Sequence, residues 1–157
     1  MNSRNLSSRS APVEDRAFVA ILKAADALGA GAEQLLKSAG LTGAQYNVLR
    51  ILRGAEPEGL ACRAIGDRMI SRDPDITRLL DRMEKHDWIT RQRQSDDRRV
   101  VKTRITKKGL ELIKPLDQPV HELHKRQFRQ VSAAHLKLVA ELLEQLASKG
   151  GNKNFVG

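Results

Sequence analysis

The sequence has one cysteine, Cys62, in 157 residues. One thiol forms no intramolecular disulfide and assembles no cysteine-based zinc knuckle. Aromatic residues make up only 3% of the chain, so the core must come from Leu, Ile, Val and Ala. No apolar run approaches the ~20 residues of a membrane span. Residues 1–12 are rich in Ser, Asn and Arg and lack the apolar segment of a secretory signal. The expected location is therefore cytoplasmic. The chain has no P-loop, no GxGxxG and no GxSxG pattern, so no catalytic residue and no cofactor is expected and the chain is not read as an enzyme. In His121-Glu122-Leu123-His124 the histidines are three apart, where a zinc-protease helix needs four. They read as surface histidines, and no metal site is expected.

What the chain has in excess is positive charge. Lys and Arg number 28 against 19 Asp and Glu, a net charge of +9. Such a balance favours a polyanionic partner, either nucleic acid or an anionic membrane surface.

Between a polar tail at residues 1–12 and another at 149–157, the apolar pattern is helical at first. Phe18, Ile21, Leu22, Ala25, Leu28, Ala32, Leu35 and Leu36 mark a helix over residues 14–38, weakened at Gly29 and Gly31. At roughly 37 Å it is longer than a small domain can cover, so its excess is expected to pack on another chain. Gly40 suits a helix end, and Thr42-Gly43-Ala44-Gln45 reads as a capping box opening a second helix to Arg53. After the break from Gly54 to Gly59 comes a short helix from Cys62 to Met69. Asp73-Pro74 signals the start of the next, with Ile76, Leu79, Leu80 and Met83 as its buried stripe. The period then changes to two. Trp88 to Arg93 is one strand, and Val101, Thr103 and Ile105 mark a second, joined by the polar turn Gln94 to Arg98. Thr106 caps a long helix interrupted by Pro115 and Pro119, and Ser132 caps the last helix. A helix pair followed at once by a hairpin is a winged helix-turn-helix.

The charge is unevenly spread. From His86 to Lys108, eight basic residues face three acidic ones, so 23 residues hold +5 of the +9. A hairpin lying along a phosphate backbone uses that density. From Ser71 to Lys85, Arg72, Arg78, Arg82 and Lys85 balance Asp73, Asp75, Asp81 and Glu84. That helix suits direct readout of base edges, with Arg on guanine and Asp on cytosine, while Thr77 and the first N–H groups suit a phosphate. Taken alone, the same charges are ion pairs on a solvated helix. Next to a strongly basic hairpin, readout is favoured.

Three runs carry a family resemblance: Ile65-Gly66-Asp67-Arg68-Met69 with Asp75-Ile76-Thr77-Arg78-Leu79-Leu80-Asp81-Arg82-Met83-Glu84; Asp97-Arg98-Arg99; and Ile105-Thr106-Lys107-Lys108-Gly109. Jointly they resemble the DNA-reading core of the MarR family, over about residues 14–148. The resemblance implies a mainly α fold with a small β-hairpin wing, its winged helix-turn-helix core (42–106) flanked by dimerisation helices (14–38 and 107–148) in one domain, 13–148. It implies a homodimeric regulator, more often repressor than activator, on double-stranded, pseudo-palindromic operator DNA, commonly released by a small, often aromatic effector. Carried over to this sequence, the recognition-helix contacts are Arg72, Asp75, Thr77 and Arg78. The wing contacts are Asp97 and Arg99, with Arg98 on a phosphate or in an internal ion pair. Gly66 departs from the more usual Ala, and His86-Asp87-Trp88 from the usual Gly-containing turn. If that turn needs positive φ, Asp87 has to adopt it. Two other readings share these residues: an architectural or nucleoid protein without strong sequence preference, and a redox-responsive regulator acting through Cys62. A buried, inert thiol is favoured over the second.

Overall fold

The computed structural model describes residues 11–71, 73–93 and 99–150. Of the tails expected at 1–12 and 149–157, residues 1–10 and 151–157 lie outside them, as does the turn at 94–98, while the last helix runs on through residues 149 and 150. Helix α1 (Val13–Ser38) follows the apolar repeat and runs on through Gly29 and Gly31. Gly40 ends it with φ 73°. Its N–H donates to the Lys37 carbonyl at 3.1 Å and that of Leu41 to Leu36 at 3.0 Å, satisfying two carbonyls the helix leaves open. Helix α2 (Gly43–Arg53) opens on the expected capping box. The Thr42 hydroxyl accepts from the Gln45 N–H at 3.2 Å, and Gln45 Oε1 accepts from the Thr42 N–H at 2.9 Å.

The core is centred on α2, which buries Tyr46, Val48, Leu49 and Leu52. Leu49 and Leu52 are at 0% exposure, a burial worth about 1.5–3 kcal/mol each. Strand β1 (Leu60–Ala61) and helix α3 (Cys62–Arg68) follow. Ile65 of α3 is fully buried, and Cys62 packs against the core half-buried. Helix α4 (Ile76–Lys85) turns Leu79, Leu80 and Met83 inward, as its periodicity requires. It starts later than the Asp73-Pro74 signal indicates. Asp73 Oδ1 accepts from the Asp75 N–H at 2.9 Å, which makes Asp73-Pro74 a turn. Asp75 is the residue that caps the helix.

Strands β2 (Ile89–Arg93) and β3 (Val101–Ile105) pair antiparallel, Ile89 opposite Ile105 and Arg91 opposite Thr103. β1 pairs with the other edge of β3, Leu60 opposite Thr103, giving the sheet order β1-β3-β2. The two-residue strand escapes the sequence pattern because it is too short to alternate.

The root of the hairpin is tightly built. Asp87 takes φ 58°, as the replacement of glycine in this turn demands. The Thr106 hydroxyl donates to the Asp87 carbonyl at 2.6 Å and accepts from the Gly109 N–H at 3.1 Å. The Thr106 N–H donates to the Trp88 carbonyl at 3.0 Å. A Cβ on Gly109 would run into that same Trp88 carbonyl, and would lie 2.8 Å from Ile105 Cγ1. The Thr-x-x-Gly run is therefore both a helix cap and a close approach of helix α5 (Lys107–Ile113) to the end of α4.

The expected long helix after Thr106 is broken. A single 3-10 turn at Lys114–Leu116 carries Pro115, and helix α6 (Asp117–Gln127) begins after it. Pro115 cannot donate to a continuing helix, whereas Pro119 falls in the first turn of α6, where no donor is needed. Phe128 lies beyond that helix. The Asp117 carboxylate takes two bonds from Arg53, at 2.8 and 2.9 Å, tying α6 to α2. These bonds hold its carboxyl below the usual carboxylate range, against a smaller opposing effect of burial.

The chain divides into two compact units, residues 1–120 and 121–157. In the first, only Leu36 of α1 is buried, while Phe18, Val19, Ile21 and Leu22 stand exposed. In the second, helix α7 (Ala133–Gly150) starts where expected, with Ser132 Oγ accepting from the His135 N–H at 3.3 Å. It leaves Leu138, Val139, Leu142, Leu143 and Leu146 exposed. Among the described residues no helix is long and apolar enough to cross a membrane.

Two glycines behave oppositely on substitution. Gly66→Ala places its methyl 3.4 Å from Ile76 Cδ1, an ordinary contact, so unfolding in urea should show a gain of about 0.5–1 kcal/mol. Gly109→Ala should lose about 2 kcal/mol or more, because backbone must move. A neutral Gly109→Ala would contradict the close approach.

The Arg53–Asp117 pair predicts a pH dependence. Because Asp117 is held lower in the folded chain, its contribution is complete above the unfolded value, about 4. It is lost as pH falls through the lower folded value. Asp117→Asn should cost less than about 1 kcal/mol at pH 7, and thermal melts should find the gap to wild type closing in acid. A gap that widens in acid would contradict this.

Candidate nucleic-acid interface

Asp75 stands at the head of α4 with its carboxylate already engaged. One oxygen accepts from the Arg78 N–H at 3.2 Å, and the other lies 3.2 Å from Arg78 Nε. The ion pair is exposed and weak, yet it turns the Arg78 guanidinium toward the start of the helix. Thr77, Arg78, Arg82 and Lys85 are exposed. Of the site residues expected from the sequence, Asp75, Thr77 and Arg78 therefore come together at one helix end. Arg72, Asp97 and Arg98 lie outside the described residues, and Arg99 is exposed just ahead of β3.

The remaining acids of α4 have a different task. Glu84 accepts from the Arg91 backbone N–H at 3.1 Å, from its Nε at 2.9 Å and from one terminal nitrogen at 2.6 Å. The same nitrogen donates to Asp81 at 2.6 Å. The hydrogen bond to Glu84, and a smaller one to Asp81, hold this guanidinium above its usual range, although partial burial opposes them. Counted along the sequence, α4 is neutral. Counted in space, Asp81 and Glu84 share Arg91 with their side chains 45% and 38% exposed, while Arg78, Arg82 and Lys85 stand exposed and free of them.

Two arginines of the wing are committed to contacts within the protein. Arg91 faces α4. Arg104 donates to the Pro57 carbonyl at 2.8 Å and to Gln92 at 3.3 Å, fixing β3 to the loop before β1. Lys107 and Lys108 lie 3.9 and 3.8 Å from Glu111 and Asp87, too exposed to be strongly held. The inward role of Arg91 has a sequence signal that the charge census passes over. Arg91 is two residues from the buried Ile89, hence on the same face of β2. The census also misses Ile70. Its N–H donates to Asn47 Oδ1 at 2.8 Å, and its side chain is 90% exposed in the segment leading to α4.

This arrangement can be set beside known proteins. The MarR family model matches residues 41–101, which takes in α2, α3, α4 and β2. A solved MarR transcription factor from Planctomyces limnophilus is 36% identical, with a TM-score of 0.65 over 86% of this chain and 98% of its own. The chain belongs to the MarR family. Over 141 residues it is 25% identical to the homoprotocatechuate degradative operon repressor of Escherichia coli, covering 90% of this chain and 94% of the repressor. CouR from Rhodococcus jostii RHA1, solved bound to p-coumaroyl-CoA, shares the fold at a TM-score of 0.75 and 22% identity, over 94% of this chain and all of its own (100%). In this MarR-family chain the family model runs from the start of α2 to the first residue of β3, and the hairpin is the wing of the winged-helix fold.

The cap at Asp75 is testable apart from any ligand. Asp75→Ala should cost about 1 kcal/mol of stability in urea unfolding, and Asp75→Ser, which still caps, much less. Equal losses for both would show that the carboxylate does something other than cap.

Proposed function

We propose that this chain is a sequence-specific DNA-binding transcriptional regulator, acting as a homodimeric repressor that a small effector releases. The observation that carries the reading is the division of charge on α4. Arg78, Arg82 and Lys85 are exposed while Asp81 and Glu84 are held by Arg91. A helix whose two mid-helix acids are engaged by Arg91 and whose Arg78, Arg82 and Lys85 are exposed, next to a basic hairpin, suits the major groove. Arg72, Thr77 and Arg78 contact bases and phosphates, and Asp75 orients Arg78. Asp97, Arg98 and Arg99 of the wing meet the neighbouring backbone or minor groove.

The homodimer rests on uncovered apolar surface. Phe18 is 64% exposed and Leu22 54%, on a helix whose last turns alone reach the core, and α7 leaves five large apolar side chains in water. Faces of this kind mark an interaction surface, and a second copy would cover both. Two-fold symmetry then calls for a pseudo-palindromic operator of double-stranded DNA. The effector part is supported by the ligand-bound neighbour CouR. A ligand that favours a dimer with the wrong helix spacing lowers operator affinity by its preference for that state.

A salt-controlled mobility shift with the DNA upstream of the chain's own gene tests the reading. The wild type should prefer that DNA to random duplex by ~10³ or more, sediment at twice the mass of one chain, and lose affinity as salt rises. Arg78→Ala should weaken the preference, and Arg99→Ala should mainly reduce the salt slope. Equal affinity for any duplex would favour an architectural protein. A wild type that binds neither duplex, or Arg78→Ala and Arg99→Ala variants that bind as the wild type does, would overturn the proposal.

A further inference from the structure

Arg91 joins the two parts of the interface that the sequence keeps separate. Glu84 and Asp81 lie three residues apart on one side of α4, and a single guanidinium bridges them at 2.6 Å each while the Arg91 backbone N–H holds Glu84 as well at 3.1 Å. Two anchor points one helical turn apart fix direction as well as distance, because a planar guanidinium meets carboxylates only in a narrow geometry. Arg91 sits on the strand nearest α4, with its side chain 26% exposed. A strand rises about 3.4 Å per residue, so a rotation of roughly 10° at Ile89 moves Arg93 by roughly 2 Å, and points farther out by more. That is enough to take a cation out of hydrogen-bond range of a phosphate.

We propose that Arg91 is the positioning residue of the interface, and that Glu84 and Asp81 favour DNA binding although they are negative charges on the reading helix. This rests on the DNA-binding reading above and adds to it a sign that elementary electrostatics reverses. Removing two carboxylates from a surface that meets phosphates tightens binding if the acids act only through their charge. Here their removal frees Arg91, releases the hairpin from its fixed angle and weakens binding.

The test is the Glu84→Ala, Asp81→Ala double variant in the full-length chain, titrated against the upstream DNA and against random duplex at several salt concentrations. Binding to the upstream DNA should fall on the order of tenfold or more, and the salt slope should shrink by about one unit for each wing phosphate lost. No basic residue has been removed, so a merely weakened fold with intact contacts would leave that slope unchanged. Arg91→Lys keeps the charge but not the two-point hold, and should show the same loss. If the double variant does not fold, Asp81→Ala alone, which deletes one bond of the cluster, should still weaken binding with a thermal midpoint near wild type. Tighter or unchanged binding by the folded variants, where the wild type binds its upstream DNA, overturns the positioning role and leaves the DNA-binding reading standing. A wild type that binds neither duplex overturns both.

Discussion

The structure depends on how the hairpin is rooted on the end of α4. In that junction Asp87 bends the chain at positive φ, Thr106 closes the bend with one hydroxyl used twice, and Gly109 lets α5 approach the Trp88 carbonyl. Without this root, the hairpin and α4 would be neighbours in sequence with no fixed relation in space. The buried side chains on both sides of the root, Met83, Ile89 and Ile105, then pack as one core. The Arg91 cluster adds a second attachment farther along β2. Two attachments on one strand define an angle, which one alone does not.

The root also decides what the charge of the molecule means. As composition, +9 says only that some polyanion is welcome. Once β2 lies on α4, Arg91 turns inward and takes Glu84 and Asp81 with it, and Arg104 is committed to the Pro57 carbonyl. Two of the wing's arginines are committed to contacts within the protein, and the reading helix keeps Arg78, Arg82 and Lys85 exposed. The simple division into a wing that grips and a neutral helix that chooses is therefore too sharp. Both elements present cations outward, and their acids and some of their arginines hold the two together.

Much of the fold is legible in the sequence because it is written locally. The capping box at Thr42, the glycine end of α1, the alternation of β3 and the cap at Thr106 each need only a few consecutive residues to be recognised. What was not legible depends on contacts between distant segments. β1 is a strand only because β3 passes beside it, and two residues carry no period. The start of α4 falls later than the Asp73-Pro74 signal because Asp73 and Asp75 are both competent caps, and the turn after Asp73 decides between them. The candidate contacts on α4 were readable as exposed polar positions. The commitment of its acids required the register that sets Arg91 on the face of Ile89. Parity along β2 held that information, and a count of charges discards it.

The account turns on one arrangement, the hairpin fixed to α4 by Arg91 with the cations of α4 facing outward to DNA. A crystal structure of the homodimer on its operator duplex tests it most directly. The account predicts the first turns of α4 in the major groove, Arg78 on a base edge or phosphate, and Arg91 still bonded to Glu84 and Asp81. Arg91 on a phosphate, with Glu84 and Asp81 turned to solvent, would contradict it.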